Sequence, residues 1–133
     1  MIKWDNKYSV NVSMIDEEHK EFIGIINKAI LAKEHNDNPE EIREVLREMT
    51  NYALTHFKTE ESYMKVFNYP ECQDHKEEHR DFYIETIVYL DKLVKGDYQI
   101  VNEIPEYLKW WLINHIQGTD KKFVDCCKEK GLM

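Results

Sequence analysis

Glycine and proline are scarce, at 4 and 3 in 133 residues. An all-β chain needs a turn about every ten residues, so this scarcity points to long helices. No apolar run approaches ~20 residues, which argues against a membrane span. Basic residues are outnumbered: 18 Lys and Arg stand against 26 Asp and Glu, a net charge of −8. With no basic cluster in that balance, nucleic acid is a poor partner. Cysteine is limited to Cys72, Cys126 and Cys127, an odd number with no CxxC spacing. That excludes a disulfide framework and argues against a thiolate zinc site. A reducing, cytoplasmic setting is expected. The opening MIKWDNKYSV lacks the basic-then-apolar order of a signal peptide. The adjacent Cys126 and Cys127 read as small side chains on the last helix, with a redox pair as the lesser alternative.

What is present is apolar periodicity of three and four residues, in four blocks. The first runs from about Asp16 to Lys33, on Ile15, Phe22, Ile23, Ile26 and Ile30, and ends in the polar stretch His35-Asn36-Asp37-Asn38. The second opens at Asn38-Pro39-Glu40-Glu41, an Asn cap with Pro at the first helical position and Glu at the third, a capping-box arrangement. It continues to about Phe67, where Asn68-Tyr69-Pro70 breaks it. The third starts near Glu71 and stops at Gly96, a C′ glycine. The fourth begins near Asn102, with Pro105 placed in its first turn. Residues 1–14, with Trp4, Tyr8, Val10 and Val12, read as an arm against the bundle formed by 15–133. Short loops between amphipathic helices of ~20 residues make antiparallel neighbours. The expected fold is all-α: an up-down-up-down antiparallel four-helix bundle with an N-terminal arm, in one domain.

Polar groups on the apolar stripes carry the functional signal. The chain has 6 His. His19 lies between Ile15 and Phe22; His56 follows Ala53, with Glu60 one turn on; His75 and His79 share a column with Phe82; His115 follows Trp111. Only His35 sits among polar neighbours. One histidine on an apolar face is usually an ordinary core residue, but five with Glu60 are not. Each buried imidazole needs partners for two nitrogens, and a buried carboxylate needs a counter-charge. A metal satisfies both. Alternating helix direction brings all of these residues to one end of the bundle, so one site is implied. Asp120 lies five residues after His115, about 140° away on a regular α-helix. It reads either as a solvent-facing acid or as a further ligand, facing the bundle from the flank through the Leu112-Ile116-Asp120 row or through a local widening of the helix near Gly118.

Five imidazoles and two carboxylates exceed the four ligands of a usual zinc site and suit two ions. Mixed nitrogen and oxygen ligation favours iron or manganese over calcium or magnesium. If both carboxylates and a solvent oxygen bridge, His75, His79 and His115 fill one ion, while His19 and His56 leave one position vacant on the other. Trp111, Leu112 and Ile116 are the expected walls of that vacancy, a pocket for a diatomic gas.

The segments Ile15-Asp16-Glu17-Glu18-His19, His56-Phe57-Lys58-Thr59-Glu60, His75-Lys76-Glu77-Glu78-His79 and His115-Ile116-Gln117-Gly118-Thr119-Asp120 resemble the hemerythrins, and among them the bacterial single-domain form. The arm with Trp4, Tyr8, Ser9 and Val10 is similar to that family's N-terminal segment, although Asn11 stands where bacterial members often have Gly. The resemblance implies two iron ions per chain with an oxo or hydroxo bridge, reversible dioxygen binding, and no catalysis. It implies His75, His79 and His115 on one iron, His19 and His56 on the other, and Glu60 and Asp120 across both. The roles it implies are oxygen transport, storage or delivery. Dioxygen is then the partner, with an oxygen-using enzyme as a candidate recipient and a monomer as the expected state. The alternatives are a di-iron oxidase or peroxidase, an oxygen or nitric oxide sensor, and a structural metal site. Ferritin-like oxidases use paired ExxH motifs and mostly carboxylate ligands, and this chain has no ExxH.

Overall fold

The computed structural model describes residues 1–35 and 38–131. A short 3₁₀ turn, Asn6–Tyr8, precedes α1 (Ser13–His35), α2 (Pro39–Val66), α3 (Cys72–Val94) and a fourth rod. That rod is built from α4 (Ile100–Trp111), a π-helical segment (Leu112–Asp120) and α5 (Lys121–Glu129). No strand occurs among the described residues. Helix α1 packs on α2 and α4, α2 on α3, and α3 on α4, which closes an up-down-up-down four-helix bundle.

The helix ends follow the local chemistry of the chain. The Asn38 side chain accepts from the Glu40 amide at 3.1 Å, and Pro39 opens α2. The Glu41 carboxylate, the other partner of the expected capping box, meets the His35 ring at 2.8 Å. Residues 36 and 37, inside the expected polar break, lie outside the described residues. Helix α2 ends with Asn68 at φ 51°, where Tyr69 N–H reaches back to the Met64 carbonyl at 2.9 Å. Helix α3 ends the same way on Gly96 at φ 81°, with Asp97 N–H on the Lys92 carbonyl at 2.9 Å. Both are left-handed C′ closures, open to Gly and Asn and disfavoured elsewhere. The fourth rod starts two residues earlier than expected, at Ile100, so Pro105 sits in the second turn. There its missing N–H leaves the Val101 carbonyl without the usual helical donor.

The arm ends at Val12, two residues before the expected boundary, because Asp16 captures it: the Asp16 carboxylate accepts from Ser9 Oγ at 2.5 Å and from Val10 N–H at 2.8 Å. Asn27 holds Ile2 through both of its backbone groups, each at 2.9 Å. Asn11 adopts φ 59°, a left-handed conformation that Asn tolerates better than most residues.

The apolar side chains separate into two layers. The larger includes Phe22, Ile26, Tyr52, Phe57, Phe82, Leu108, Trp111, Leu112 and Ile116. The smaller includes Val10, Ile15, Met64, Tyr69, Phe123, Val124 and Cys127. On every rod the polar residues of the stripe fall between the two: His19 between Ile15 and Phe22, His56 and Glu60 between Ala53 and Met64, His75 and His79 between Tyr69 and Phe82, and His115 and Asp120 between Leu112 and Phe123. A polar layer is thus enclosed above and below by hydrocarbon, near one end of the bundle.

Candidate metal centre

His19, His56, Glu60, His75, His79, His115 and Asp120 occupy this layer, each 2% exposed or less. Their ligating atoms form two groups that share the carboxylates: Glu60, His75, His79, His115 and Asp120 in one, His19, His56, Glu60 and Asp120 in the other. His35 is apart from them, exposed, with its ring on Glu41.

The two carboxylates divide their oxygens in the same way. Glu60 Oε1 faces His79 Nε2 at 3.0 Å, His75 Nε2 at 3.3 Å and His115 Nε2 at 3.9 Å. Glu60 Oε2 faces His56 Nε2 at 3.3 Å and His19 Nε2 at 3.8 Å. Asp120 Oδ1 lies 3.1 Å from both His75 and His115, whereas Oδ2 lies 3.0 Å from His19. One oxygen of each carboxylate serves the three-His half and the other serves the two-His half.

The π-helical segment delivers Asp120. With i→i+5 hydrogen bonding, residues five apart come nearly into one column, so Asp120 follows His115 inward. Glycine at 118 is not demanded by space, since a Cβ there would meet only the Ile113 carbonyl at 3.9 Å. Its contribution is weaker α-helical preference, about 1 kcal/mol less than alanine.

Three carboxylates that the sequence pattern did not single out orient the imidazoles. The Glu18 carboxylate takes His56 Nδ1. Glu61 takes His79 Nδ1 at 2.9 Å, and Glu78 takes His115 Nδ1 at 2.8 Å. An ionised carboxylate only accepts, so these Nδ1 atoms carry the hydrogen and the Nε2 lone pairs face the centre. Glu18 adjoins His19, Glu61 adjoins Glu60 and Glu78 adjoins His79, yet each holds a ring on the next rod. The acid beside each stripe residue was the signal; which ring it reached was not visible without the packing.

The walls are aromatic and aliphatic. Trp111 stacks on His115 at 4.0 Å between centroids and Phe57 on His79 at 3.9 Å, both in the three-His half. Tyr52, which was not among the residues expected at the site, stacks on His56 at 4.8 Å and faces the two-His half. Leu112 and Ile116 are buried in the larger apolar layer.

Without a positive ion the centre is self-consistent only as an ion cluster. Burial opposes charge on His56 and His75, but Glu60, with Glu18, lifts His56 to about 10, and Asp120 and Glu60 lift His75 to about 9. His19 and His115 are raised by the same two carboxylates against their burial. Burial also opposes the charge on Glu60, yet the imidazoles hold it well below the usual carboxylate range. Asp120 is lowered too, against both its burial and the Glu60 charge.

Hydrogen bonding does not complete the centre. His19 Nε2, His56 Nε2, His115 Nε2, Glu60 Oε2 and both Asp120 oxygens are buried and lack a hydrogen-bond partner among the described residues. His19 Nε2 and Asp120 Oδ2 lie 3.0 Å apart and still form no hydrogen bond. Buried polar atoms left in this way cost about 1–3 kcal/mol each. Buried atoms that converge without hydrogen-bonding one another suit a shared cation, and the donor set fits a metal pair.

Known proteins resemble the chain over most of its length. The family model described as Hemerythrin HHE cation binding domain matches residues 10–127. A bacteriohemerythrin of Stenotrophomonas maltophilia is 29% identical over 128 residues, covering 96% of this chain and 82% of that protein. One from Pseudomonas paraeruginosa is 30% identical over 128 residues, covering 94% and 80%. A hemerythrin-like protein of Naegleria gruberi is 29% identical over 120 residues, covering 90% and 88%. The crystal structure of a wild-type hemerythrin superposes with a TM-score of 0.85 at 26% identity, covering 96% of this chain and 98% of that one. A match across most of the chain, on the same bundle, makes this protein a member of the hemerythrin HHE cation-binding family.

Proposed function

We propose that the chain holds two iron ions and binds dioxygen reversibly, as a carrier, store or delivery protein and not as an enzyme. The observation that carries this reading is the division of the carboxylate oxygens between a three-His half and a two-His half. His75, His79 and His115 would hold one ion, His19 and His56 the other, and Glu60 and Asp120 would span both. Imidazole-rich ligation favours iron over calcium or magnesium, and the ligand number is too large for one zinc. A ferrous pair bound here would supply two electrons to a diatomic gas and recover them when the gas leaves.

The chain's own residues create the conditions for that reversibility. Glu18, Glu61 and Glu78 hold three rings so that their Nε2 atoms aim inward. Glu60 and Asp120 supply negative charge that offsets the cations in a low-dielectric layer. The two-His half has one imidazole fewer, which leaves space for an external ligand on that side. Leu112, Ile116 and Phe22, buried above the polar layer, exclude water and with it the protons and anions that would displace a bound gas. Their packing would leave room there for small molecules alone.

The test is oxygen uptake by the reduced, iron-loaded protein. One dioxygen bound per chain, with an optical change that reverses when oxygen is removed, is the expected result. Irreversible oxidation on first exposure, or oxygen consumption that continues with a reductant present, would indicate an oxidase instead.

A further inference from the structure

Glu78 does more than hold an imidazole. Its Oε1 accepts from His115 Nδ1 at 2.8 Å and from Thr119 Oγ1 at 2.9 Å, and its Oε2 accepts from Thr119 Oγ1 at 3.1 Å. Both donors lie on the π-helical segment, whereas Glu78 lies on α3. Among the described residues, Glu61 and Glu18 make no comparable second contact.

The winding of that segment determines where residue 120 points. On an α-helix, residue 119 passes the His115 row by roughly 40° and residue 120 by about 140°, so both lie on the same flank. A π turn takes between roughly four and five residues, so residue 119 falls short of the row and residue 120 passes it. The structure shows this split. Thr119 lies on the half-exposed flank toward Glu78, and Asp120 is fully buried against Glu60 and the imidazoles. The Thr119 hydroxyl also reaches the Asn114 carbonyl, five residues back, at 3.4 Å. Gly118 does not impose the wide turn by space, since a Cβ there would meet only the Ile113 carbonyl at 3.9 Å.

We propose that Glu78 is a positioning residue that fixes the π register of Leu112–Asp120 by holding His115 and Thr119 together, and that this hold aims Asp120 at the centre. The consequence for metal rests on the reading of the centre given above; the register itself does not. If the Thr119 contact is lost, the segment can rewind toward α geometry, which turns Asp120 away from both halves.

The experiment compares Glu78→Ala, Thr119→Val, Thr119→Ser and Glu61→Gln by amide hydrogen exchange across residues 112–120, on the protein as purified and again after chelation. The same variants are then scored for release of bound iron to a chelator. Thr119→Val removes the register contact but leaves the His115 clamp, Thr119→Ser keeps the hydroxyl, and Glu61→Gln weakens a clamp that does not touch the segment. Glu78→Ala and Thr119→Val should speed exchange of the segment about tenfold and release iron ~10–100-fold faster, the range for loss of a residue supporting a ligand. Thr119→Ser and Glu61→Gln should leave segment exchange at the parent rate. If Glu78→Ala does not fold, Thr119→Val carries the test alone. Parent-like exchange and release in Thr119→Val would overturn the proposal, as would equal loosening of the segment by Glu61→Gln. Should the chain take up no iron, the reading of the centre fails while the exchange measurement still decides the register.

Discussion

Glu60 and Asp120 share one buried layer and would repel each other if imidazoles did not surround them. That balance makes each ring's placement testable. His35 lies outside the layer on an exposed Glu41 pair, so His35→Ala should leave iron content and spectrum unchanged. His56→Ala should lose at least one iron per chain, because it strips half of the two-His side; metal analysis of both variants checks this. Ile116 is fully buried in the layer above the centre, next to His115 in sequence. Ile116→Ala should cost about 2–5 kcal/mol of stability by leaving a cavity. It should also speed azide binding and loss of the oxygenated colour, with iron content unchanged; unaltered rates in stopped-flow and optical assays would place the gas pocket elsewhere. The stripe histidines and Glu60 were legible at this scale because a polar residue at an apolar period stands out. Asp120 was ambiguous because its spacing is wrong for an α-helix, and Glu18, Glu61 and Glu78 were missed because their partners lie on other rods.

At the scale of elements, two glycines should respond with opposite signs. Gly24 is in the middle of α1, where an added Cβ meets nothing within 4 Å. Gly24→Ala should therefore stabilise by up to ~1 kcal/mol through helix propensity alone. Gly96 closes α3 at φ 81°, and Gly96→Ala should destabilise by about 1 kcal/mol because a Cβ is strained there. Denaturant unfolding of the pair measures both. The four rods were readable from periodicity, and the helix stops at Asn68 and Gly96 from their residue types. The N-terminal edges of the first and fourth rods shifted by two or three residues, the first where Asp16 captures the arm, whereas α2 opens at Pro39 as its Asn cap indicates. The π-helical segment could only be suspected, since its wide turn depends on contacts from α3.

For the whole molecule, the enclosed polar layer couples stability to metal and to pH. In the metal-free chain, His56 and His75 are raised above 6.5, to about 10 and about 9. A raised imidazole contributes stability that is full below about pH 6.5 and is lost as pH climbs through the folded value. Glu60 is lowered from 4.5, so its contribution is present above about pH 4.5 and is lost as pH falls. The chelated protein should thus be most stable between about pH 4.5 and 6.5, and its Tm should fall toward about pH 9.5. Metal replaces the ring protons, so the loaded protein should show a higher Tm and a shallower alkaline decline. Equal melting curves with and without metal would contradict this coupling.

On the proposed reading, Glu60 and Asp120 would each span two ions, with three imidazoles on one side and two on the other. Anomalous scattering at the iron edge from crystals of the loaded protein tests it most directly. Two iron peaks per chain are expected, one beside His75, His79 and His115 and one beside His19 and His56, with the two oxygens of each carboxylate on different peaks. A single peak, or both oxygens of either carboxylate on the same ion, would contradict it.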